Sequence, residues 1–290
     1  MIAAWLAALR PRQWTKNLFV FAGIIFSLKF FAGPLLLTVL AAFAVFCCLS
    51  SAIYLINDVH DLDGDRRHPV KRLRPIAAGQ LGVPSALGAA LLLALTGLAG
   101  ALPLGAAFFL TALAYFVLMV LYTFVLRDLV ILDTFAIAAG FVLRAIAGVV
   151  VIAVQLSPWL VICTILLSLF IALGKRRHEL MIINNAGQYR KSLDEYNPQL
   201  LDQMISAVAG GAVIAYALYT LWPETIAKFG THNLVYTVPF VLYGIFRYLY
   251  LIYHKEQGER PEELLITDLP LLLDIMLWLA TLLVIIYRFK

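Results

Sequence analysis

Charge is scarce in this sequence. Asp, Glu, Lys and Arg supply 13% of the 290 residues, 63% are hydrophobic and the mean hydropathy is +0.91, whereas soluble domains carry about 25% charged residues. That shortage excludes a water-soluble fold. Cysteine is rarer still: Cys47, Cys48 and Cys163 all fall in apolar runs with no histidine cluster beside them. This argues against a disulfide framework or a zinc site and leaves them as small hydrophobes. Linkers rich in Gly, Pro and Ser are missing, as are low-complexity tracts, so the expectation is a single domain over residues 1–290. The first residues carry Arg10, Arg12 and Lys16 but no short apolar core ending in a small-residue cleavage site. The first apolar run is therefore expected to stay as a helix.

What the sequence has in abundance is apolar length. Measured against the ~20 residues a helix needs to cross a bilayer, the runs predict an all-α integral membrane protein with nine transmembrane helices, at 15–33, 35–57, 84–103, 106–126, 129–153, 157–175, 199–222, 234–253 and 268–288. Residues 58–83, 176–198 and 254–267 form the long polar gaps. With the N-terminus inside, these gaps, the N-terminal stretch and Arg127 collect nearly all the basic residues on one side. Only Lys29, Lys228, Arg288 and Lys290 fall on the other. An excess of Lys and Arg marks cytoplasmic loops, so the net charge of +5 belongs to membrane topology and to anionic small molecules rather than to nucleic acid.

The first long gap opens acidic and continues basic. A helix leaves the membrane as Asn57-Asp58-Val59-His60-Asp61-Leu62-Asp63-Gly64-Asp65, followed by Arg66, Arg67, His68, Lys71, Arg72 and Arg74. If the helix runs past Asn57, then Asn57, Asp61 and Asp65 share one face with Asp58 beside them. Their oxygens lie about 6 Å apart along the axis and repel one another unless a cation sits between. Magnesium suits such a cluster because it takes hard oxygens from one or two carboxylates plus substrate phosphates. Gly64 weakens the helix, so Asp65 has a second route, reaching back from a turn. The alternative is a solvated acidic helix end paired with its basic neighbours; against it, a helix C-terminus disfavours negative charge. Asp63 points elsewhere on the projection. Asn57, Asp58, Asp61 and Asp65 are the metal candidates, with the three aspartates catalytic.

The basic residues admit two readings throughout. Lys71, Arg72 and Arg74 satisfy the inside-positive bias, or, standing beside the carboxylates, they hold a diphosphate that metal grips from the other face. Lys175, Arg176, Arg190 and Lys191 in the second gap form either a second phosphate-binding loop or further topological charge. His178-Glu179 starts like a zinc-protease helix, but isoleucine at 182 stands where a second histidine is required, which rejects that motif. Before the first helix, Trp14 reads as an interfacial anchor, and Lys16 and Asn17 either snorkel or turn inward to phosphate. Arg144 lies inside an apolar helix, where a charge is costly and faces the bundle interior. It either braces the fold, through helix carbonyls or Asp133, or lines a channel.

Asn57-Asp58-x-x-Asp61-x-x-x-Asp65 at the end of a second helix, within nine hydrophobic helices, resembles the first aspartate motif of the UbiA superfamily of membrane prenyltransferases. The second aspartate motif of its ordinary prenyltransferases is missing, and Lys175, Arg176, Glu179, Arg190 and Lys191 stand in its place. This pattern is similar to the decaprenyl-phosphate phosphoribosyltransferase branch. So are Arg10-Pro11-x-Gln13-Trp14-x-Lys16-Asn17, Lys71-Arg72-x-Arg74-Pro75-Ile76-Ala77-Ala78-Gly79 and Arg190-Lys191-Ser192-Leu193. The resemblance implies a helical bundle around a central cavity open to cytoplasm and lipid, in a bacterial inner membrane. It implies magnesium as cofactor, phosphoribosyl pyrophosphate as donor and a long polyprenyl phosphate as acceptor, with Lys16, Arg190 and Lys191 candidates for the 5-phosphate or the acceptor phosphate. Two rivals stand beside it. One is a prenyltransferase passing a prenyl group to an aromatic acceptor, which the missing motif disfavours. The other is a transporter, for which there is no internal repeat.

Overall fold

The computed structural model describes residues 1–182, 191–255, 263–264 and 267–288. Every regular element among them is helical. In chain order the α-helices and the longest 3₁₀ stretch are α1 (Ile2–Leu9), a 3₁₀ stretch (Pro11–Phe21), α2 (Ala22–Ile25), α3 (Gly33–His60), α4 (Leu62–Arg67), α5 (Val83–Ala101) and α6 (Ala106–Phe124). They continue as α7 (Leu132–Val150), α8 (Pro158–Ile182), α9 (Pro198–Leu221), α10 (Pro223–Phe229), α11 (Val238–Tyr253) and α12 (Leu269–Arg288). Proline in the first turn opens α3, α5, α9, α10 and α11, where its missing N–H has no carbonyl to satisfy and its fixed φ suits the helix.

Eight helices among the described residues are long and apolar enough to cross a membrane: Gly33–His60, Val83–Leu104, Ala106–Phe124, Leu132–Val150, Pro158–Met181, Pro198–Leu221, Asn233–Tyr253 and Leu269–Arg288. They match eight of the nine expected runs. The run at 15–33 differs: it is a 3₁₀ stretch and one α-turn, broken at Leu28, whose φ is 63°.

The chain packs as two compact units, residues 1–24 with 30–156, and residues 25–29 with 157–290. In the first, α3 and α7 are the most buried of the membrane-length helices, and α3 contacts α5, α6 and the 3₁₀ stretch. The buried stripe of α5 is Ala86, Ala90, Ala94, Gly97 and Ala101, all small, while Leu87, Leu91, Leu92 and Leu95 are exposed. Small residues on the packed face and leucine on the other are what lipid favours, since close van der Waals approach rather than water exclusion holds membrane helices together. The 3₁₀ stretch is seated the same way on α7. A Cβ placed on Gly148 would lie 1.8 Å from the carbonyl oxygen of Val20, and one on Gly23 would lie 2.6 Å from that of Gly148.

The same stretch lies along α3 as a ladder of polar contacts. Arg10 pairs with Asp58, Tyr54 donates to Gln13 at 3.4 Å, Trp14 donates to Ser51 at 3.0 Å, and Asn17 donates to Ser50 at 3.2 Å and to the Cys47 sulfur at 3.4 Å. Trp14, expected as an interfacial anchor, is therefore also a rung. Arg144 ends the ladder. Its guanidinium donates to Asn17 Oδ1 at 2.8 Å, to the Gly140 carbonyl at 3.0 Å and to the Tyr115 hydroxyl at 2.7 Å, and lies over the Tyr115 ring at 4.5 Å. These bonds brace the 3₁₀ stretch and α6 against α7, with Asn17 and Tyr115 as side-chain partners.

In the second unit α8 packs on α9, and α11 on α9 and α12. Tyr216, Tyr219, Phe229, Leu234, Leu282, Ile285 and Ile286 form its apolar cluster. Trp278 donates to the Tyr216 hydroxyl at 2.9 Å, which also bonds Thr237 at 2.7 Å.

Candidate active site

At the end of α3 the helix does not stop cleanly. Asp61 leaves helical geometry with φ −88° and ψ 4°, and α4 restarts at Leu62. Yet the Asp61 N–H still bonds the Asn57 carbonyl at 2.9 Å, and the Asp65 N–H the Asp61 carbonyl at 2.8 Å. Asn57, Asp61 and Asp65 are thus stacked one turn apart across a kink, which joins the two routes left open for Asp65: near-helical spacing, reached through a turn.

Guanidiniums hold all three aspartates. Arg74 donates to Asp58 Oδ1 at 3.1 Å and to Asp65 Oδ2 at 2.6 Å; Arg10 shares Asp58 Oδ1; Arg127 pairs with Asp61. Asp58 and Asp65 are 2% and 3% exposed, so these pairs are far less screened than surface ones. Burial pushes the Asp61 carboxyl up, but the hydrogen bond from His60 at 3.0 Å and the nearby Arg127 charge outweigh it and hold it below its ordinary value. Asn57 is paired with Thr123 of α6. One oxygen stands apart: Asp58 Oδ2 is buried and has no hydrogen-bond partner among the described residues.

The loop after α4 is folded so as to aim Arg74. His68 accepts the Val70 and Lys71 N–H groups at 3.2 Å each, shaping the turn. Ile76 is buried in a cluster with Ala8, Leu55, Leu81, Ala86 and Ala90, which pins the chain two residues beyond Arg74.

Of the expected site residues, the structure brings together Asn57, Asp58, Asp61, Asp65 and Arg74. Lys71 and Lys16 are half-buried; Arg72 is exposed, its N–H bonding the His68 carbonyl at 3.2 Å and its side chain making no ion pair or hydrogen bond among the described residues. Asn17 is 0% exposed, and its amide bonds Ser50, Cys47 and Arg144, which seats the 3₁₀ stretch. The site also draws in residues the sequence does not mark as such: Arg10 enters there as inside-positive charge and as part of the Arg10-Pro11 motif, Arg127 as inside-positive charge alone, and Thr123 not at all. Within the second unit, Arg176 is buried and paired with Glu179, and Lys175 is half-buried one residue before it. Arg177 holds Asp202 at 2.6 Å and lies 4.0 Å over the Tyr253 ring. Arg190 and the Lys191 side chain lie outside the described residues.

The sequence pattern of the UbiA prenyltransferase family matches residues 17–267. The chain belongs to that family. As a UbiA-family chain with eight apolar helices it is a multi-pass membrane protein. It is 34% identical over 286 residues to the decaprenyl-phosphate phosphoribosyltransferase of Mycobacterium tuberculosis strain H37Rv, covering 97% of this chain and 93% of that one. It is 35% identical to the enzyme of the same name from Corynebacterium glutamicum, covering 97% of this chain and 86% of that one. A solved UbiA homologue from Archaeoglobus fulgidus, bound to GPP and Mg2+, shares the fold with a TM-score of 0.74 at 19% identity, covering 98% of this chain and 99% of that one.

Proposed function

We propose that this protein transfers the 5-phosphoribosyl group from phosphoribosyl pyrophosphate to a polyprenyl phosphate and releases pyrophosphate. The observation that carries the reading is the similarity to decaprenyl-phosphate phosphoribosyltransferases over nearly the whole chain. The site supports it, because a cluster of buried carboxylates interleaved with arginines suits a metal-bound diphosphate. Magnesium suits the donor chemistry: Asp58 Oδ2 is a buried hard oxygen with no hydrogen-bond partner among the described residues, although no three His, Cys, Asp or Glu side chains among the described residues converge on a ready-made metal site, the carboxylates being turned onto Arg10, Arg74 and Arg127. Asp58, Asp61 and Asp65, with Asn57 beside them, would hold it. Bound there, it would supply Lewis-acid neutralisation of the departing diphosphate.

The chain's own residues do the rest. As an oxygen of the acceptor phosphate bonds to the anomeric carbon, the bond from that carbon to the diphosphate breaks and its electron pair leaves with the diphosphate. Arg74 and Arg10 place positive charge where that negative charge grows. No general base is demanded, because the acceptor phosphate is already anionic, and catalysis rests on positioning the two reactants. Lys71 and Arg72 join Arg74 as charge partners of the diphosphate, Lys16, Arg190 and Lys191 are candidates for the 5-phosphate or the acceptor phosphate, and Lys175 and Arg176 are further substrate-binding candidates. The acceptor tail lies in lipid-facing grooves, each buried methylene contributing about 0.8 kcal/mol. The site faces the cytoplasm of a bacterial inner membrane, as the inside-positive bias requires.

Purified protein in detergent, given magnesium, a polyprenyl phosphate and donor labelled in the ribose ring, tests this. Label moving into the organic phase only when both metal and lipid are present is the expected result. Absence of transfer, with turnover of a prenyl diphosphate on an aromatic acceptor instead, would overturn the reading.

A further inference from the structure

The acidic cluster is neutralised by its own chain. Asp58 takes Arg10 and Arg74, Asp65 takes the same Arg74, and Asp61 takes Arg127. Three carboxylates thus face three guanidiniums. His60 lies on Asp61, and a fourth carboxylate, the half-buried Asp128, stands at the edge 3.7 Å from Arg127. The buried Asp58 Oδ2 adds an oxygen with no partner inside this balanced cluster. A bare divalent cation bound there brings two uncompensated charges into a site with little water, and burying unpaired charge is costly. A cation that arrives with a diphosphate brings its own compensation.

Arg10 occupies a costly position. Its φ and ψ are 52° and 60°, the left-handed region where glycine is at home and a side chain is strained. Its guanidinium reaches Asp58 and lies 5.1 Å over the Tyr54 ring. What holds an arginine there is its side chain, not its backbone preference.

We propose that Arg10 is a built-in counter-ion that makes metal and diphosphate binding mutually dependent, so that the cluster rejects a bare divalent cation and accepts one together with diphosphate. This rests on reading the site as a metal–diphosphate clamp. The coupling is reciprocal: diphosphate strengthens metal binding by the same factor as metal strengthens diphosphate binding. Removing the Arg10 charge leaves the cluster net negative, so bare metal binds more tightly and the coupling shrinks. Arg10→Gly does this while relieving the backbone strain, which favours the fold.

The experiment is equilibrium dialysis of Mn2+ against the purified full chain in detergent, without and with inorganic pyrophosphate, counting Mn2+ retained by protein. For wild type, pyrophosphate is expected to tighten retention about tenfold or more, the size of effect that neighbouring opposite charges have on ionisation equilibria. Arg10→Gly is expected to bind bare Mn2+ about tenfold more tightly than wild type, and Arg10→Lys to return it toward wild type. Bare Mn2+ bound no more tightly by Arg10→Gly than by wild type would overturn the proposal. Arg127→Gln, which uncovers Asp61, provides the same comparison if the glycine variant does not purify. A parallel wild-type transfer assay separates the two claims. Transfer without coupling sinks the counter-ion alone, and coupling without transfer sinks the phosphoribosyl reading alone.

Discussion

A carboxylate that grips a metal–diphosphate cannot be replaced by an amide of the same shape without losing its charge. Asp61→Asn and Asp65→Asn are therefore expected to abolish transfer while the protein still purifies as a folded monodisperse species. Full activity in either variant would remove the metal-site claim. Lys191→Ala is expected mainly to raise the donor concentration needed for half-maximal rate, as loss of one phosphate contact does. A fall in maximal rate at unchanged donor requirement would move Lys191 from donor binding to another role. The aspartates were legible in the sequence because their spacing is a helix period, and 57, 61 and 65 remain linked by turn-to-turn backbone bonds even across the kink. Arg74 was legible too, as a basic neighbour of the carboxylates, but Arg10 and Arg127 were not legible as their partners. Arg10 and Arg127 are 48 and 66 residues away from Asp58 and Asp61, and nothing local distinguishes a charge aimed at a carboxylate from one obeying the inside-positive bias.

The run at 15–33 shows what apolar length leaves out. Hydropathy registers that a segment is long and oily, not which carbonyl each N–H reaches, and the polar residues Gln13, Trp14 and Asn17 draw this segment onto α3 as a 3₁₀ stretch. A 3₁₀ run of 11 residues is longer than such helices usually sustain alone, so tertiary contacts hold it. Gly148→Ala tests this. The added methyl would meet the Val20 carbonyl, a backbone atom, at 1.8 Å, and overpacking of this kind costs about 1–3 kcal/mol. A clear drop in Tm in detergent, with loss of transfer because Arg10 moves with the stretch, is expected; an unchanged Tm would mean the contact is slack. At the start of α12, Asp268 accepts the Leu271 N–H at 3.0 Å and makes a bidentate pair with Arg247 at 3.0 and 2.8 Å. The Arg247 hydrogen bond holds the Asp268 carboxyl below its ordinary 3.8. A depressed folded pKa contributes stability that is fully present above the unfolded value and is lost as pH falls through the folded one. The Tm advantage of wild type over Asp268→Asn should thus be flat above about pH 5 and shrink below about pH 4. An advantage independent of pH down to 3 would show that the carboxylate charge is not what Arg247 reads.

Composition and the apolar runs together announced a helical membrane protein, because so little charge cannot cover a soluble surface and runs of ~20 apolar residues suit helices that cross a bilayer. The division into two compact units was invisible: the break between the runs at 129–153 and 157–175 looks like the other short breaks in the sequence, and contacts between distant helices reveal it. Orientation, by contrast, follows from charge statistics and is open to direct test. Gln80, in the loop after the acidic cluster, and Glu224, on α10, are both exposed, and the three native cysteines lie within apolar helices. A cysteine at Gln80 should react with a membrane-impermeant maleimide in inverted vesicles and not in intact spheroplasts; a cysteine at Glu224 should do the reverse. Each basic residue moved to the outer face opposes the inside-positive bias, so a reversed pattern would require nearly all of them to sit outside. It would also put the carboxylate cluster on the face away from the cytoplasm, and a soluble phosphorylated donor made inside the cell would then have no route to it.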